Sequence, residues 1–164
     1  MREGALDQTM REWAETIPSE VRKDTLWKVE AYRLGLFVSD TAWDDVTALS
    51  RDIRTRSLSD QLHRALGSIS ANIAEGYSRG GGRDRARFLE YALGSAREAR
   101  DWYVKSRRVL DPDRVAAQLD VLTSVIRLLL VMIRDQRDVH LREPTVTYAS
   151  DPRALADDGT DAPD

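Results

Sequence analysis

The chain has 164 residues, 41% hydrophobic and 32% charged, which is one ordinary domain with a single core and solvated outer faces. It contains no Cys, which removes disulfides, thiol catalysis and thiolate metal sites together. No uninterrupted run approaches the ~18 apolar residues of a membrane span, and no signal-peptide core is visible at the N-terminus, so an intracellular, cytoplasmic protein without a membrane partner is expected. The net charge of −3 is unevenly spread: residues 138–164 hold seven acids against two arginines, residues 1–24 six acids against four bases, and residues 25–137 are net basic. Lys occurs only at Lys23, Lys28 and Lys105, so the positive charge is almost all Arg, whose planar fork suits phosphate and carboxylate.

Leu6, Met10, Trp13 and Ile17 recur at helical spacing, which predicts a short amphipathic helix over 5–17, stopped by Pro18. Its apolar edge must bury against something, and docking on its own bundle is expected ahead of a neighbouring copy or a partner. The first long helix begins after Thr25, read as its N-cap, and carries Trp27, Ala31, Leu34, Val38, Ala42, Val46 and Leu49 on one stripe. After the polar stretch Ser50–Ser57, a second stripe runs through Leu62, Leu66, Ile69, Ile73 and Tyr77, and Gly80, Gly81 and Gly82 break it.

A third helix begins around Arg83–Asp84, turns Phe88, Ala92, Ser95, Ala99, Trp102 or Tyr103, and Ser106 inward, and stops near Leu110. Asp111-Pro112 is a start signal, an acidic N-cap followed by Pro at the first helical position. The fourth helix uses Val115, Leu119, Leu122, Ile126, Leu129, Leu130 and Ile133 and ends around Gln136. Short links between long amphipathic helices imply antiparallel neighbours. The expected fold is all-α: an antiparallel up-down four-helix bundle over 25–137, an N-terminal extension over 1–24, and a disordered acidic tail over 138–164.

Chemistry finds few candidates. A di-metal carboxylate site in a bundle needs paired Glu-x-x-His elements and further Glu ligands, and the nearest match is one run, Asp60-Gln61-Leu62-His63. No phosphate loop and no nucleophile elbow is present. A non-enzyme with no metal, cofactor or small-molecule substrate is expected. Asn72 and Glu75 lie three apart at the expected border of the core, with Arg97 and Glu98 as partners, which suggests an interhelical polar network of Asn72, Glu75 and Glu98.

The run Ser68-Ile69-x-Ala71-Asn72-Ile73-Ala74-Glu75-Gly76, with Arg79, then Phe88-Leu89-x-x-Ala92-x-Gly94-Ser95-x-x-Glu98, resembles the four-helix-bundle family named for proteins encoded in 23S rRNA intervening sequences. That family includes the accessory variability determinant proteins of diversity-generating retroelements. The resemblance covers roughly residues 26–136; Ser70 stands where many members have Pro, and the loop with Gly80, Gly81 and Gly82 is enlarged. It implies a homopentamer, and for the retroelement branch it implies binding of a reverse transcriptase and of RNA or RNA–DNA. The cations positioned for phosphate are Arg79, Arg83, Arg85 and Arg87 around the second loop, then Arg97, Arg100, Lys105, Arg107 and Arg108 along the third helix. The alternative is an oligomeric protein-interaction scaffold with no direct nucleic-acid role, using the Leu6–Ile17 helix and Trp13, Trp43 and Trp102.

Overall fold

The computed structural model describes residues 2–142, with side chains from 8 to 138. The predicted tail beyond 142 and the side chains of Leu6 and His140 lie outside the described residues. Seven α-helices follow in order, with no strand among the described residues: α1 (Arg2–Thr16), α2 (Ser19–Lys23), a 3-10 turn (Thr25–Lys28), α3 (Glu30–Thr41), α4 (Trp43–Arg51), α5 (Arg56–Tyr77), α6 (Gly82–Lys105) and α7 (Pro112–Arg142). The α3–α4 pair forms one broken arm of the bundle, α3 packs on α5 and α7, and α6 packs on α5 and α7 in turn. This closed square of antiparallel neighbours is the predicted up-down bundle.

The four stripes meet in one core. Ala31, Leu34, Val38, Ala42 and Leu49 are buried from the first arm, Leu62, Leu66, Ile69 and Ile73 from α5, Ala92, Ala99 and Tyr103 from α6, and Val115, Leu122, Ile126, Leu129 and Ile133 from α7. Tyr77 and Leu130 were expected on this core and are exposed instead, each one step off the buried arc of its helix. Helix α7 is long and apolar enough to cross a membrane by length and composition. Its apolar arc is spent on the core, however, while Asp120 and Arg127 point outward, which is the pattern of a bundle helix. Two glycines set helix spacing: a Cβ on Gly35 would meet Ile69 Cγ2 at 3.0 Å, and one on Gly82 would meet the Gln136 carbonyl oxygen at 2.9 Å.

Several boundaries differ from the sequence reading. Asp24 rather than Thr25 caps the first arm, its Oδ1 accepting from the Leu26 amide at 2.8 Å, and the chain makes a 3-10 turn before α3 begins. Helix α6 stops at Lys105, where Ser106 turns the chain, and α7 continues past Gln136 to Arg142. The Asp111-Pro112 start is as expected, with Asp111 Oδ1 accepting from the amides of Asp113 at 2.9 Å and Arg114 at 3.0 Å.

The first arm is broken at Ala42 although no Pro or Gly stands there. Thr41 Oγ1 donates back to the Phe37 carbonyl at 2.8 Å, which bends a helix, and the Thr41 carbonyl accepts from the Arg114 guanidinium on α7. Arg114 Nε also donates to both oxygens of Asp45 on α4, at 3.0 and 3.1 Å. Asp45 is only 5% exposed, and Tyr103 on α6 donates to it at 2.9 Å while Gln118 on α7 donates at 3.3 Å. One buried carboxylate therefore ties α4, α6 and α7 together at one end of the bundle.

The N-terminal helix docks on its own bundle. Trp13 is buried, stacks on Trp27, meets Phe37 edge-on at 5.3 Å between ring centroids, and donates its indole N–H to Asp40 at 2.7 Å.

Asp45→Ala should lower the unfolding free energy by about 3 kcal/mol, because it leaves Arg114, Gln118 and Tyr103 without their shared acceptor. That is the low end for a buried pair, since the Arg114 side chain keeps 36% exposure. Tyr103→Phe should cost about 1 kcal/mol, because Asp45 keeps its other donors. Urea denaturation checks both, and equal losses would contradict the shared-acceptor role. Burial, and then the Asp45 charge, raise the Tyr103 pKa above its ordinary 10.0. Its contribution is therefore complete below pH 10 and is lost as pH rises beyond that value, where the unfolded chain ionises first. Tyr103→Phe should flatten that alkaline loss in a pH series of thermal melts.

Candidate nucleic-acid interface

The predicted phosphate-binding cations occupy two separate ends of the bundle. Helix α6 has 24 residues, so at about 1.5 Å per residue its termini lie roughly 35 Å apart. Arg79, Arg83, Arg85 and Arg87 surround the α5–α6 hairpin at one terminus. Lys105, Arg107 and Arg108 stand at the other, beside the Asp45 carboxylate, and exposed Arg97 and Arg100 fall between.

At the hairpin, Arg79 pairs with Glu75 one turn earlier and lays its guanidinium 4.8 Å from the Phe88 ring centroid. Arg87 approaches the same ring at 5.5 Å, and Tyr91 meets it edge-on at 5.8 Å. Arg85 Nε donates to the Arg79 carbonyl at 2.6 Å, which closes the hairpin. At the far terminus Lys105 pairs with Asp101 at 2.5 Å and sits 4.3 Å over Trp102. Arg107 Nε donates to the Val104 carbonyl at 2.7 Å. Among the described residues, Arg83, Arg85, Arg87, Arg97, Arg100, Arg107 and Arg108 hold no ion pair.

The predicted polar network is corrected. Asn72 Nδ2 donates to the Ser68 carbonyl at 2.8 Å, Glu75 pairs with Arg79, and Glu98 accepts from Trp102 Nε1 at 3.2 Å. Each bond stays within or beside its own helix turn, and none joins α5 to α6. The inward positions of α5 are Ile69, Ser70, Ile73 and Gly76, and those of α6 are Ala92, Ala96 and Ala99. Asn72, Glu75 and Glu98 lie next to these in sequence, a rotation that leaves Asn72 half-buried at the border of the core and carries Glu75 and Glu98 to the outer faces. A buried interhelical polar contact sits instead at Asp45, Tyr103, Arg114, Gln118 and Thr41, which come from three stretches far apart in sequence.

No group of three or more His, Asp or Glu that could hold a metal ion occurs among the described residues. Asp60 and His63 of the single run considered for a metal are exposed on α5, and His63 stacks edge-on against Trp43.

The family model for the 23S rRNA-intervening sequence protein matches residues 28–130. The chain belongs to that family. Among solved structures it is similar to a protein of unknown function from the S23 ribosomal protein family of Bacteroides thetaiotaomicron, at 22% identity and a TM-score of 0.59, covering 63% of this chain and 98% of that one. That likeness supports the four-helix fold alone. No functionally curated protein matches. The family's motif residues divide in this chain: Ile69, Ile73, Gly76, Leu89 and Ala92 build the core, while Asn72, Glu75, Gly94, Ser95 and Glu98 stay at or near the outer surface.

Asn72→Ala, Glu75→Ala and Glu98→Ala should each change the stability of the monomeric bundle by no more than about 0.5 kcal/mol, as for surface positions without long-range partners. Chemical denaturation checks this, and a loss above about 2 kcal/mol for any of them would restore the interhelical network.

Proposed function

We propose that this chain is a non-enzymatic, homo-oligomeric RNA-binding accessory protein of the cytoplasm, of the kind that supports a reverse transcriptase. The carrying observation is the series of arginines from Arg83 to Arg108 that hold no ion pair among the described residues. A face laced with ion pairs would be an ordinary solvated surface. Uncompensated guanidinium groups bind phosphate and release its counterions. The outward motif residues Asn72, Gly94, Ser95 and Glu98, which this chain's core does not use, support an assembly contact, for which we propose a homopentamer. Copies arranged in a ring multiply a modest charge per chain through avidity.

Purified protein should bind RNA with an affinity that falls steeply and linearly on a log–log plot against salt. Tight binding indifferent to salt, or none at low salt, would contradict the reading. A native mass measurement should give five chains, and a monomer at micromolar concentration would remove the assembly.

The scaffold reading keeps one specific support. Trp43 is 68% exposed, whereas Trp13 is buried and Trp102 lies under Lys105. Deleting residues 1–20 should destabilise the bundle by uncovering Phe37 and Trp27, so that deletion tests the core rather than partner capture. Trp43→Ala tests the scaffold cleanly: loss of a reverse-transcriptase contact with RNA affinity intact would favour it.

A further inference from the structure

The chain order places the α4–α5 corner and the α6–α7 corner at the same end of the bundle. Tyr103, near the end of α6, and Arg114, in the first turn of α7, both reach Asp45 on α4. Ser59 Oγ, in the first turn of α5, donates to the Val46 carbonyl at 2.8 Å, and Thr55 Oγ1 donates to the Leu49 carbonyl at 2.7 Å. These bonds bring Arg51, Arg54 and Arg56 of the first corner to the end that carries Arg107 and Arg108. The two sets are separated by about fifty residues in sequence, so no local motif announces them.

The charge there is unbalanced. Arg51, Arg56, Arg107 and Arg108 are exposed and hold no ion pair among the described residues. Asp52 is taken by Arg54, whose fork contacts it at 2.6 Å and, chiefly by that hydrogen bond, holds its carboxyl down at about 2. Asp111 is occupied by the first amides of α7, which leaves Asp113 as the acid in that turn, and it holds no ion pair among the described residues. Ile53, between these arginines, is 81% exposed.

We infer that these two corners form one binding site for the RNA phosphate backbone, with Arg51, Arg56, Arg107 and Arg108 as the phosphate contacts and Ile53 against ribose or an unstacked base. This rests on the RNA-binding reading above and assigns that reading a place on the molecule. Arginine is suited to it because each fork takes two phosphate oxygens. Phosphate contact without a base-reading module predicts binding by charge and shape rather than by sequence.

The test uses the full chain and a fluorescent hairpin RNA with single-stranded flanks, titrated over a salt series. Two paired variants remove the corners, Arg51→Gln with Arg56→Gln, and Arg107→Gln with Arg108→Gln. A control pair of equal charge change, Arg64→Gln with Arg134→Gln, lies elsewhere on exposed surface. Each corner pair should weaken binding by about tenfold or more near 0.1 M salt and flatten the log–log slope by roughly 1.4–1.8, because each lost phosphate contact removes about 0.7–0.9. The control should move neither quantity by as much. The matching Arg→Lys pairs should restore most of the slope, which separates loss of charge from loss of fold, and thermal melts of all variants should coincide. If the parent protein binds but both corner pairs behave as the control does, the corner site is wrong while RNA binding stands. If the parent binds no RNA at low salt, both fall.

Discussion

Taking a carboxylate out of water is expensive, and Asp45 is tolerated only because Tyr103, Arg114 and Gln118 all donate to it. The geometry of one end of the bundle is tied to satisfying that one group. Arg114 must reach across from α7, and in doing so its guanidinium also takes the Thr41 carbonyl and holds the first arm open at Ala42. Beyond the break α4 packs on α5 and carries the Arg51–Arg56 corner to the end of the bundle where α6 stops. Around this point the core is built from Leu, Ile, Val and Ala, which pack well in several registers. A directional contact among three helices fixes one of them, the role best attested for buried polar groups.

Much of this was legible in the sequence, and the reasons differ by element. The stripes from Ala31 to Leu49 and from Val115 to Ile133 show because burial on one side imposes helical period. Asp111-Pro112 shows because its capping chemistry is local, as the bonds to the amides of Asp113 and Arg114 demonstrate. The break at Ala42 does not show, since its cause is an arginine about seventy residues away. Asn72 lies half-buried at the border of the core, as expected, but its amide is spent on the Ser68 carbonyl one turn back, while Glu75 is rotated to the outside, so neither reaches α6. The apolar edge through Trp13 was legible as one that docks on its own bundle, but the indole bond to Asp40 that holds it there was not, because it exists only once α1 has folded back.

The candidate site divides in the same way. The arginines of α6 are visible as a run, and the acids four residues before Arg79 and Lys105 mark those two as paired, whereas Arg83 and Arg108 have no acid at that spacing and hold no ion pair among the described residues. A run cannot say that the hairpin arginines and the far-end arginines are separated by the length of a helix. Arg51 and Arg56 read in sequence as part of a polar link, and gain meaning only from the chain reversal that sets them at the end of the bundle that carries Arg107 and Arg108. Family membership specifies the bundle and says little about what it binds. The charge map of the folded chain carries that question further.

Hydrogen–deuterium exchange on the full chain, with and without a saturating RNA hairpin, tests most directly where the nucleic acid sits. Slowed exchange should concentrate at residues 51–57 and 104–111, the two corners that the Asp45 contact brings together. Protection confined to α1 and α3, or no change anywhere with RNA bound, would contradict it.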